Sequence, residues 1–132
     1  MHDFPRPGAH VRFLERASEF LRWLRSDGDR LIAAAHLLGG EGWAQRARRV
    51  VRAAREGHDL VARQPDLRAL RDLLWLEHLD GRDTPEARRF LALDVEDPRC
   101  DDARVCADVL DVGVRALEAL RLAGITSFRE AA

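Results

Sequence analysis

Apolar residues recur every three to four positions along almost the whole chain. No stretch shows the two-residue alternation of a half-buried strand. In residues 9–25, Phe13, Leu14, Ala17, Phe20, Leu21 and Leu24 fall within about 120° on one side of a helical wheel. Arg12, Glu15, Arg16, Glu19 and Arg22 fall opposite. The polar run Ser26-Asp27-Gly28-Asp29 reads as a break, with Asp29 capping a second, short helix over 30–38 that Gly39-Gly40 stops. A third helix is predicted over 41–63. Trp43, Ala47, Val50, Val51, Ala54, His58 and Val61 form its stripe, about 100° wide.

Gln64-Pro65-Asp66 then interrupts the chain, and a fourth helix runs over 66–79. Leu67, Leu70, Leu73 and Leu74 share one of its sides while Trp75 and Leu79 occupy another, the pattern of a buried central helix. Thr84 caps a short helix with Pro85 at its first position, where a missing N–H costs nothing. The acidic loop "DVEDPRCDD" leads into a last helix over 102–123, which Gly124 closes. Short connections favour antiparallel neighbours. The expectation is an all-α fold: one compact bundle of about five to six helices, with residues 1–132 as a single helical domain.

Composition narrows the functional classes more than it names one. Of the 132 residues, 34% are charged and 46% hydrophobic, ordinary proportions for a globular chain. All 22 basic residues are Arg, and Lys, Asn and Tyr are absent, a bias that points to a GC-rich bacterial genome. Net charge is −1 and unevenly spread. Residues 1–63 carry 12 Arg against 8 acidic residues, whereas residues 64–132 carry 10 against 15. That balance is far from the strongly basic footprint of a nucleic-acid domain. No apolar run reaches the roughly 18 residues a membrane span needs, and the first ten residues lack a signal-peptide core. Two cysteines do not make a disulfide framework, so a cytoplasmic location is expected.

Three places carry candidate chemistry. On the third helix, Arg48, Arg52 and Arg55 lie within about 60° of one another, a basic face suited to an anionic partner. Trp23 projects among Arg12, Arg16 and Glu19, away from its helix's apolar stripe, and either packs under a loop or anchors a partner protein or a second copy of the chain. Glu77 falls between Leu70, Leu73 and Leu74, where a carboxylate must be paired with an Arg of a neighbouring helix, neutral, or at a helix end already reaching solvent, a ligand pocket being the functional alternative. The five His show no spacing that would hold a metal on a helix, and no phosphate-binding glycine loop is present, so no metal or cofactor is expected. His58, at the edge of its apolar stripe, reads as a satisfied core histidine.

Arg71-Asp72, followed after five residues by His78, resembles the Arg-x4–6-His signature of the HEPN family of small all-α ribonucleases. The resemblance covers eight residues. It implies that Arg71 and His78 act around a scissile phosphate, across a dimer interface. The segment 112–128, with Val114, Arg115, Leu120, Ala123, Gly124 and Ile125, resembles the opening helix of the carboxy-terminal domain of RNA polymerase alpha chains. It lacks the remainder of that domain, and no function is carried over from it. The leading expectation is a small non-enzymatic interaction or regulatory protein acting through helix faces. An Arg/His ribonuclease, a helical bundle with a small-ligand pocket and a nucleic-acid-binding module are the alternatives.

Overall fold

A computed structural model describes residues 7–77, 83–125 and 128, with side-chain surroundings from residue 11 onward. Among the described residues five α-helices follow one another: α1 (Pro7–Gly39), α2 (Glu41–Arg55), α3 (Gln64–Leu74), α4 (Pro85–Leu91) and α5 (Pro98–Leu122). A 3₁₀ turn, Val61–Arg63, leads into α3. Among the described residues there is no strand, and the all-α bundle is as the periodicity requires.

The first two expected helices are one. α1 runs through Ser26-Asp27-Gly28-Asp29 for 33 residues, a length of about 50 Å. Gly28 is buried, and a Cβ there would lie 2.5 Å from Val51 Cγ1 of α2. The glycine therefore permits two helix axes to approach; it does not end a helix. Ser26 satisfies its hydroxyl on the Arg22 carbonyl one turn back, at 2.9 Å. Asp29 is no N-cap. It lies inside α1, and its carboxylate accepts from Arg55 of α2 at 3.3 Å.

α1 packs chiefly on α5 and α2, and α3 fits against α5, α2 and α1. Leu21, Leu24 and Leu31 from α1, Val50 and Val51 from α2, Leu67 and Leu70 from α3, and Leu110, Leu117 and Leu120 from α5 form the centre of the core. Each fully buried leucine contributes about 1.5–3 kcal/mol over its exposed state. Around this core, guanidinium groups bridge helices. Arg30 of α1 grips Asp102 of α5 through two nitrogens. Arg46 of α2 donates to Asp66 of α3 at 2.7 Å, and Arg68 of α3 to Glu118 of α5 at 3.1 Å. Arg25 Nε donates at 2.8 Å to the Ala54 carbonyl at the end of α2, which also accepts from the Gly57 amide. The abundant Arg is thus partly structural.

α2 ends eight residues before the expected boundary. Gly57 adopts φ 74°, the His58 amide donates back to the Ala53 carbonyl at 2.8 Å, and the Gly57 amide donates to Ala54 at 3.3 Å. These two bonds and the left-handed glycine form a Schellman terminus. His58 consequently leaves the apolar stripe and stands exposed near Glu56, at 3.6 Å, rather than in the core. α5 closes the same way at Gly124 (φ 91°), with the Ile125 amide on the Leu120 carbonyl at 2.9 Å, as its sequence indicates. Its start is earlier than expected, because Asp97 caps it by accepting from the Arg99 amide and Pro98 takes the first helical position. Thr84 and Pro85 open α4 as predicted, with the Thr84 hydroxyl accepting from the Ala87 amide at 3.0 Å.

Candidate functional site

The termination of α3 builds the site. The helix stops at Leu74, one turn short of the sequence expectation, and Leu76 takes φ 62°. A left-handed conformation costs a non-glycine residue about 1–2 kcal/mol. It is held because Leu76 packs partly against the core and its amide donates to the Leu73 carbonyl at 3.1 Å. The turn splays Trp75 outward, 47% exposed.

Between this turn, α4 and the first half of α5 lies an open cleft of about 290 Å³. Leu74, Trp75 and Leu76 form one wall, Phe90, Leu93 and Val95 a second, and Ala103 and Ala107 of α5 a third. Polar contacts from two side chains, Arg89 and Trp43, fix α4 beside it. Arg89 Nε donates to the His36 and Leu37 carbonyls at the end of α1, and Trp43 Nε1 donates to Glu86 at 3.1 Å. Arg104, Asp108 and Cys100 supply the cleft's polar edge. Arg104 and Asp108 have no side-chain partner among the described residues. Val95 on the cleft wall is 76% exposed, and Val105 and Val112 on the neighbouring face of α5 are 48% and 50% exposed.

The second thiol has a different setting. Cys106 is fully buried in the core, and burial pushes it up to about 11. Such a thiol is a small hydrophobe, not a nucleophile. Among the described residues, no three His, Cys, Asp or Glu side chains are placed to hold a metal ion, and no helix is long and apolar enough to cross a membrane.

The residues singled out from sequence scatter. Glu77 is not buried among leucines. With α3 ended at Leu74 it is exposed, sharing a polar surface groove with Arg71, Asp72, Asp111 and Arg115. Arg71 itself lies against Asp72 at 3.4 Å. His78 lies outside the described residues. On α2, Arg48 pairs with Glu41 at 2.7 Å and Arg55 with Asp29, while Arg52 is exposed without a side-chain partner among the described residues. Trp23 is half-buried at the edge of the core, its ring stacked on Phe20 with centroids 6.4 Å apart and planes 14° apart. Among the described residues, none of these lines the cleft, although Glu77 directly follows Leu76 of its wall. The available signal was the cluster Phe90, Leu91, Leu93 and Val95, apolar residues crowded before an acidic loop.

No family model matches the chain, and neither a curated protein nor a solved structure is detectably similar to it.

Proposed function

We propose that the protein is a non-enzymatic interaction module whose working surface is the cleft between the α3 terminus, α4 and α5. The observation that carries this reading is the coincidence of an apolar cleft with large exposed hydrophobic residues on its walls, Trp75 and Val95. Contiguous exposed apolar surface marks binding sites on folded proteins. The strained Leu76 supports it, because such backbone persists where the surroundings impose it and clusters at functional positions. The cleft volume sits at the lower edge of the roughly 300–1,000 Å³ typical of small-ligand sites, which favours a few anchoring side chains over a whole enclosed ligand.

Nile red, a neutral apolar dye, tests the cleft. The wild-type protein should enhance its emission. Trp75→Asp and Val95→Asp should remove most of that signal while helicity and Tm stay within a few degrees. Arg48→Ala combined with Arg52→Ala and Arg55→Ala should leave it intact. Enhancement that survives both cleft variants would overturn the assignment.

A second reading, an anionic partner on α2, is supported by the exposed Arg49 and Arg52, which have no side-chain partner among the described residues. Retention on heparin that falls steeply with salt and is lost in Arg49→Ala with Arg52→Ala is its test.

A further inference from the structure

The charges bordering the cleft are unbalanced. Glu77 after α3, Glu96 in the α4–α5 connection, and Asp101 and Asp108 on α5 have no side-chain partner among the described residues. Against these four carboxylates stands, among the described residues, one unpartnered guanidinium on the cleft edge, Arg104. The other acidic groups nearby are already engaged: Asp97 by Arg99, Asp102 by Arg30, and Asp111 by Arg115. The half of the chain that builds the cleft is also the acidic half, with 15 acidic residues against 10 Arg over 64–132.

Spacing decides what can use this arrangement. Asp101 and Asp108 are seven residues apart, so they share one edge of α5 within about 20° and stand about 10.5 Å apart along it. A single small cationic group cannot meet both. Val105 and Val112 repeat the same seven-residue interval about 40° further round, beyond the acidic edge as seen from the cleft. Across α5 the surface therefore runs from the apolar cleft past Arg104 to the acidic edge and then to an apolar shoulder. Among the described residues no strand edge is available for an extended peptide to pair with, which leaves side-chain anchoring as the mode of recognition.

We propose that this surface docks a basic amphipathic helix, which inserts apolar anchors from one face into the cleft and lays flanking Lys or Arg along Glu77, Glu96, Asp101 and Asp108. The proposal rests on the cleft being the working surface and names its partner's chemistry. Anchors in the cleft hold the helix, while the carboxylates select its flanking charge and speed its approach.

The probes are three 14-residue helical peptides with the same leucine stripe, flanked by Lys, by Gln or by Glu. Fluorescence anisotropy at low salt should show the Lys peptide binding at least ten-fold more tightly than the Glu peptide, with Gln between. The gap should close toward 1 M salt, where charges are screened beyond about 3 Å. Asp101→Lys with Asp108→Lys should reverse the preference. Glu77→Lys with Glu96→Lys, on separate elements, guards against a local effect on α5, and far-UV circular dichroism confirms that both variants fold. Equal affinity for all three peptides, lost in Trp75→Asp, would overturn the proposal and leave the cleft reading standing. So would Nile red binding without any peptide binding. Failure of dye and peptides alike would remove both readings. Sedimentation showing a dimer that Trp75→Asp dissociates would give the cleft to a second copy of the chain instead.

Discussion

Gly113→Ala is the sharpest test of the packing that places α5. Gly113 is buried in the middle of α5, and a Cβ there would lie 2.3 Å, 2.5 Å and 2.6 Å from three ring carbons of Phe20 on α1. Carbon atoms in good contact stand about 3.5–4.0 Å apart, so the ring must shift by roughly 1 Å. It has little room to do so, being 3% exposed and stacked on Trp23. Overpacking of this kind costs about 1–3 kcal/mol. Replacing a mid-helix glycine by alanine returns about 0.5–1 kcal/mol through backbone entropy and helix propensity. The net expectation is destabilisation of about 1–2 kcal/mol. With a urea m-value of about 2 kcal/mol/M, the midpoint falls by about 0.5–1 M.

Gly42→Ala is the matched control. A Cβ at Gly42, in the first turn of α2, meets nothing within 4 Å, so the same substitution should raise stability by a few tenths of a kcal/mol. Combining Gly113→Ala with Phe20→Leu should cost at least about 1 kcal/mol less than the two changes added separately, because the shorter side chain vacates the space. Urea titrations followed by circular dichroism measure all four variants. A Gly113→Ala protein as stable as the parent would refute the close α1–α5 crossing, and additivity with Phe20→Leu would refute Phe20 as its contact.

Two further outcomes follow from single side chains. The Asp59 carboxylate accepts from the Val61 amide at 2.9 Å and from the Phe128 amide at 2.7 Å, tying the α2–α3 connection to a C-terminal residue packed in the core. Asp59→Ala leaves both donors short of a partner and should cost about 2–3 kcal/mol in chemical denaturation, with faster amide exchange at Phe128. The buried Cys106 thiol titrates at about 11, above its ordinary value of 9.0, so the unfolded chain releases this proton first. The resulting stability is fully present below about pH 9 and is lost as the pH rises toward about 11. Alkaline unfolding curves for Cys106→Ala should therefore fall less steeply over that window, and a thiol reagent at about pH 7.5 should modify Cys100 long before Cys106.

The helical class, the Thr84-Pro85 start of α4 and the Gly124 end of α5 were legible in the sequence because each depends on local chemistry. A 3.6-residue apolar period buries one stripe, a hydroxyl caps a free amide, and a glycine accepts positive φ, whatever the rest of the chain does. The Schellman end at Gly57 was local too, but a continuing apolar period through His58 and Val61 masked it. What tertiary structure alone decided were the features that depend on a neighbour. Gly28 reads as a breaker until Val51 is seen to occupy the space a Cβ would need. Leu76 bends α3 to a close in a conformation its side chain disfavours, because packing against the core outweighs the backbone strain, and that bend turns Glu77 out to solvent and opens the cleft at Trp75. Periodicity specifies which face of a helix is oily; which other helix covers it, and where none does, is settled only when all five are packed together.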